Sequence, residues 1–192
     1  MQKDPSTGGY YLKNTGNQGW AQNVNSNGTT GGDKVSYGFF PFNENTTAAS
    51  GKNYNYGFGT KLEIKFRLTA DGTVLGDNEK KVPITFAFSG DDDVWVFIDG
   101  KLALDVGGAH GEVTGTLDFK NLEAKVSKVK KSAASGDAGE EGTDKTTGFT
   151  LKGDKQDEHT LTMFYMERGM WESNMMIAFN FPDDNEFAVE NR

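Results

Sequence analysis

The sequence predicts an all-β domain, folded as an antiparallel β-sandwich or an open barrel. Three observations predict it. The 192 residues include 14 Phe, 6 Tyr, 3 Trp and 25 Gly, and aromatic, β-branched and glycine usage together favour sheet over helix. Short runs alternate apolar and polar side chains, the period of a half-buried strand. Turn signals such as Asp71-Gly72 and Asp99-Gly100 separate these runs, and about eight strands on short turns imply two packed layers.

The elements follow in order. Residues 1–37 are rich in Gly, Asn, Ser and Thr but carry Tyr10, Tyr11 and Trp20. This is expected to be an irregular arm lying on the domain, because a free tail has no use for those aromatics. Phe39, Phe40 and Phe42 around Pro41 suggest an extended segment packed on a sheet. In Lys61–Leu68, Leu62, Ile64, Phe66 and Leu68 face one way and Lys61, Glu63, Lys65 and Arg67 the other, so one face is solvated. Val82, Ile84, Phe86 and Phe88 make the next strand.

Val94–Ile98 is apolar on both faces, as in a central strand with Trp95 in the core. Asp99-Gly100 is a two-residue hairpin signal, and Leu102 and Leu104 alternate after it. Val113–Phe119 is a further strand. Residues 120–147 begin with a lysine-rich stretch that suits either a short helix or a strand and tail, continue into a polar, acidic loop, and as a whole suggest a surface insertion. His159–Met166 and Met175–Phe181 are the last strands, joined by the loop Glu167–Asn174. The whole of 1–192 is expected to be one domain.

Charge and composition exclude several functions. With 20 Lys and Arg against 28 Asp and Glu, the net charge is −8. That opposes nucleic acid, which needs a basic patch, and an anionic membrane surface. No apolar run reaches the ~18 residues of a membrane span. Absence of cysteine excludes disulfides, thiolate zinc sites and cysteine nucleophiles. The first residues, MQKDPSTGG, lack signal-peptide character and suggest a piece of a larger polypeptide.

The chemistry concentrates in Val82–Gly111, around Asp91, Asp92 and Asp93. Adjacent carboxylates repel one another and stay ionised cheaply only when exposed or facing a cation. Two neighbours converge on one ion only if the backbone kinks, as at a cis peptide. Oxygen-only ligands suit Ca²⁺, which takes six to eight of them, and the Glu167–Asn174 loop offers an amide and carbonyls. A polar inter-strand turn explains the same residues, and spacing leaves both readings open. The run is not an EF-hand loop.

Further motifs accompany the aspartates in order: FFPF at 39–42, NYGF at 55–58, Gly107-Gly108-Ala109-His110-Gly111, and FYMER at 164–168 followed by Ser173-Asn174. Together with SGDDDVWVFIDGKL they resemble PA14-like lectin and adhesin modules, in particular the fibro-slime branch of bacterial surface proteins. The resemblance implies a β-sandwich that binds sugar through Ca²⁺. In that family two adjacent aspartates joined by a cis peptide hold the ion, which bridges to vicinal hydroxyls of a glycan.

The pair aligns with Asp91 and Asp92, and Asp93 stands where many members have Gly or Ser. The second family loop corresponds to Gly169–Asn174. Asn174 is the side-chain ligand candidate, Met170 and Glu172 are further metal candidates, and Gly169 and Trp171 are candidates for contact with the sugar, with Trp171 either stacking on it or packing down over the loop. The resemblance thus implies a non-catalytic, calcium-dependent carbohydrate-binding module of a bacterial adhesin, located extracellularly on the cell surface. A structural calcium-stabilised domain, or a protein-binding module without sugar binding, is the alternative.

Other residues receive plainer readings. His110 has no Ser, Cys or second His constellation and is expected to bond the backbone of its corner. Asp99 and Asp105 are expected in turns. Arg168 is expected to orient the 167–174 loop through a salt bridge. Glu167, Glu172 and the aspartates contain enough carboxylates for a glycosidase pair, but nothing local fixes two of them at a working separation.

Overall fold

The computed structural model describes residues 57–76, 79–90, 93–108, 113–127, 145–168 and 175–182, and the backbone of the strands at 2–3, 10–13, 22–23, 36–37 and 187–191. The domain is an all-β, antiparallel sandwich. Numbered along the chain, one sheet runs β1 (Gln2–Lys3), β2 (Tyr10–Lys13), β15 (Met175–Phe179), β8 (Thr85–Gly90), β11 (Val113–Asp118), β12 (Glu123–Ser127), β13 (Lys145–Gly148). The other runs β10 (Lys101–Val106), β9 (Asp93–Ile98), β14 (His159–Glu167), β5 (Phe58–Phe66), β16 (Phe187–Asn191). Two small ribbons pair β3 (Gln22–Asn23) with β4 (Ser36–Tyr37) and β6 (Thr73–Leu75) with β7 (Lys81–Pro83).

Alternation sets which face each strand buries. On β5, Leu62, Ile64 and Phe66 are buried, while Lys61, Glu63 and Lys65 lie on the outer face. On β14, Leu161, Met163 and Tyr165 point into the same core. Phe86 and Phe88 of β8, Leu117 of β11 and Ile177 of β15 fill it from the opposite sheet. Phe88 meets Tyr165 across the layers at 6.2 Å between ring centroids. Phe66 stacks on Phe181 at 4.5 Å and meets Phe119 edge-on at 5.1 Å. Each such buried side chain contributes about 1.5–3 kcal/mol against exposure.

Two parts of the chain expected outside the sheets contribute strands to them. Within the arm 1–37, β2 pairs with β15, with Ile177 opposite Leu12 and Phe179 opposite Tyr10. Within 120–147, Glu123–Ser127 pairs with β11, and Lys145–Gly148 pairs with Glu123–Val126. The reason is local. Asp118 Oδ1 accepts the amides of Lys120 at 2.8 Å and Asn121 at 3.1 Å, closing a turn that returns the chain. Ala124 and Val126 then alternate inward between polar neighbours. Residues 128–144 lie outside the described residues.

A third expectation is corrected at β9. Val94, Val96 and Ile98 are buried, but Trp95 and Phe97 are half-buried on the outer face of the five-stranded sheet. Phe97 meets Phe164 edge-on there, at 5.9 Å. An apolar outer face imitates a doubly covered strand in sequence. On β10 a register shift between Leu102 and Leu104 turns Ala103 and Leu104 both inward and leaves Leu102 exposed, a bulge that simple alternation does not anticipate.

Candidate functional site

Six strand ends meet at one end of the sandwich. Gly90, the last residue of β8, lies opposite Met175 on one side and Val113 on the other. Asp93, the first residue of β9, lies opposite Met166 near the end of β14, and Val94 lies opposite Val106 at the end of β10. The connections at 91–92, 107–112 and 168–174 therefore leave the two sheets at the same end.

Asp93 organises the described part of that end. Its carboxylate is 3% exposed. Arg168 grips it as a fork, with Nη2 3.0 Å from Oδ1 and Nε paired to Oδ2. The Gly108 amide donates to Oδ1 as well. Planar guanidinium on carboxylate is the geometry of a strong charge-assisted pair. The expected salt bridge of Arg168 is thus present, and its partner is Asp93. Asp93 is buried, and both of its oxygens are engaged by Arg168.

The two described glycines of the 107–111 corner have separate steric reasons. Gly108 has φ of +121°, a region that side-chain-bearing residues rarely adopt. A Cβ on Gly107 would stand 3.0 Å from the Trp95 indole and 3.1 Å from Asp105 Oδ1. Asp105 takes its expected turn role, accepting the Gly107 amide at 3.0 Å. Beneath this end the Tyr165 hydroxyl donates to Glu167 Oε2 at 2.9 Å, with both side chains buried. That bond holds Glu167 in the interior.

Asp91, Asp92, Gly169, Met170, Trp171, Glu172, Asn174 and His110 lie outside the described residues, as does the Asp91–Asp92 peptide bond. The register brings together the strand ends that carry them. Among the described residues no group of three His, Asp or Glu side chains gathers as a metal site.

A second polar cluster sits at the other end of β9. Asp99, at φ of +50° in the hairpin turn, accepts the Thr160 amide on Oδ1 and the Lys152 amide on Oδ2, each at 2.9 Å. Its Oδ2 also stands 2.8 Å from Nδ1 of the fully buried His159. Burial pushes the Asp99 carboxyl up. The Lys152 and Thr160 amides and the His159 ring outweigh that push and hold it below the usual carboxylate range. Sequence reasoning placed Asp99 in a turn and missed its partner. His159 opening an apolar strand was the available signal, since a buried histidine needs polar partners.

Comparison with known proteins bears on family and origin. The chain is 30% identical over 200 residues to protein psiF of Dictyostelium discoideum, covering 93% of this chain and 25% of psiF. It is 38% identical over 84 residues to psiP, and 59% identical over 45 residues to psiG, both of the same organism. These matches cover 44% and 23% of this chain, and 10% and 6% of those proteins. The chain thus spans a quarter or less of the length of these relatives. No family model matches, and no solved structure matches.

These findings overturn the assignment to a PA14-like, fibro-slime module of bacterial adhesins. No family model supports it, and the relatives are eukaryotic. The bacterial calcium-dependent lectin function and the bacterial cell-surface location fall with it. Three of the features behind the resemblance have geometric causes among the described residues. Asp99-Gly100 makes a hairpin, Gly107-Gly108 makes a close corner, and Asp93 with Arg168 makes an ion pair. A sandwich of any origin can need those devices.

Proposed function

We propose that this chain is a non-catalytic, calcium-binding module of a longer polypeptide. In the proposal the ion ties the 91–92 and 169–174 connections together at the end of the sandwich described above. Asp91 and Asp92 supply carboxylate oxygens and Asn174 a side-chain oxygen. Gly169, Met170 and Glu172 belong to the segment that supplies the remaining ligands.

One observation carries the proposal. Gly90 stands opposite Met175 while Asp93 stands opposite Met166, so each connection has its two ends beside those of the other. The Arg168 fork fits the same picture. It compensates the third carboxylate of the run, and carboxylate and amide oxygens such as those of Asp91, Asp92 and Asn174 are of the type that suits a hard divalent cation. The extent of the psi proteins beyond the matched region supports a part within a larger chain.

The test is calcium titration by calorimetry, paired with thermal melting in calcium and in EDTA. Calcium is expected to bind and raise the melting temperature, with stabilisation approaching about 2.7 kcal/mol at a hundredfold excess over Kd. Asp91→Asn and Asp92→Asn are each expected to remove both effects. No binding heat and no melting shift at millimolar calcium would overturn the proposal.

A further inference from the structure

We infer that His159 is held as an imidazolium, and that it forms a proton-loaded latch fastening the 149–158 connection onto the β9–β10 turn. The inference concerns the end of β9 remote from the proposed calcium ligands and does not depend on them.

Both ring nitrogens face oxygen. Nδ1 lies 2.8 Å from Asp99 Oδ2, and Nε2 lies 2.9 Å from the Asp154 carbonyl. The carbonyl can only accept. The Asp99 carboxylate already takes the Thr160 and Lys152 amides, which favour its ionised form, so it too accepts. A neutral imidazole has one N–H and would turn a lone pair toward one of these oxygens. With the ring fully buried, no solvent relieves that clash. An imidazolium donates to both.

Among the described residues, the other charged side chains near the ring are turned to other partners. Glu158 turns outward to Lys65 and Arg67. Asp157 accepts the Asp154 amide, and the Lys155 ammonium donates to the Lys120 carbonyl. From β5 the ring meets the Phe66 aromatic face at 5.5 Å. Asp99 is therefore its counter-ion, and the pair with its amides ties the connection down at Lys152 and Asp154. A further tie, from the Leu68 amide to the Lys155 carbonyl at 3.0 Å, does not involve the ring.

An imidazole that has lost one proton can no longer donate to both oxygens, so loss of that proton opens the latch. On the acid side Asp99 works in the opposite sense. Its carboxyl is held low in the fold, so its contribution is present above the ordinary carboxylate value of about 3.9 and disappears as pH falls through the lower folded one.

The experiment is ¹⁵N nuclear magnetic resonance of the His159 ring across pH 5 to 9, assigned with a His110→Gln variant, alongside amide exchange corrected for its intrinsic pH dependence. At pH 7 both ring nitrogens are expected to carry protons. Loss of one is expected to accompany an increase of about tenfold in exchange at Lys152 and Thr160, with Leu62 in β5 unchanged. Asp99→Asn is expected to return the ring to one proton at pH 7. A singly protonated ring in the unmodified protein at pH 7 overturns the inference. So does loss of the proton without faster exchange at those two amides. The unmodified protein decides the matter even if Asp99→Asn fails to fold.

Discussion

At the scale of single residues, two carboxylates bracket one strand and do similar work. Asp93 and Asp99 stand at the two ends of β9, and each closes one end of the sandwich. Asp93 is nearly buried while the Arg168 side chain is about half exposed, at 53%. Water therefore screens the cation more than the anion, and the pair is worth less than a fully buried one. Arg168→Ala is expected to cost about 2 kcal/mol in urea unfolding, chiefly by leaving a buried carboxylate with the Gly108 amide as its remaining described donor. Arg168→Lys is expected to recover only part, since an ammonium cannot reproduce the fork. A cost below about 0.5 kcal/mol for Arg168→Ala, the range of ordinary surface substitutions, would show that the pair does not hold this end.

At the scale of elements, β14 is the strand on which the five-stranded sheet is built. It pairs with β5 over its whole length and with β9 on its other side. Its alternation divides neighbouring residues between core and surface. Met163 is fully buried, whereas Phe164 is 40% exposed beside Phe97. Met163→Ala is expected to cost about 2–5 kcal/mol by leaving a cavity. Phe164→Thr, one residue away, is expected to cost less than about 1.5 kcal/mol, the upper worth of an aromatic pair beyond its area. Equal losses in denaturant unfolding would mean that the outer face is not the open surface described here.

The element scale also shows which local signals were legible. Lys61–Leu68 alternated clearly, and its faces follow that pattern. Glu123–Ser127 alternated as well, but lysines and a neighbouring polar loop hid two inward positions, Ala124 and Val126. Trp95 and Phe97 misled in the other direction. Apolar side chains on a sheet's outer face have the same one-dimensional pattern as side chains in a covered one.

At the scale of the whole molecule, the first strands close onto a late one. β2 pairs with β15 across more than 160 residues of chain, with Lys13 opposite Met176. Such non-local pairing slows folding relative to helical domains, and it caps an edge of the seven-stranded sheet. Removal of residues 1–13 leaves β15 with an unpaired side facing out. The shortened chain is expected to melt at a lower temperature and to self-associate in analytical ultracentrifugation, as bare sheet edges do. A monomeric chain with unchanged melting would show that the two N-terminal strands contribute nothing to the sheet.

The candidate calcium end divides in the same way between local and non-local information. The carboxylate run and the hairpin after it could be read directly. That Asp93 is already committed could not, because its partner Arg168 lies 75 residues further along the chain. His159 likewise meets Asp99 from 60 residues away. The Gly107-Gly108 corner could be seen, but its cause required the position of the Trp95 ring.

By itself, then, the sequence determined the all-β class, the inward faces of its plainest strands and the Asp99-Gly100 turn. Each of these depends on residues within a few positions of one another. Only the tertiary structure decided the neighbour order of the strands, the outward placement of Trp95 and Phe97, the Asp93–Arg168 fork and the Asp99–His159 latch. Register and sheet order join segments whose separation along the chain leaves no periodic trace, and a side chain's charge partner follows from that register.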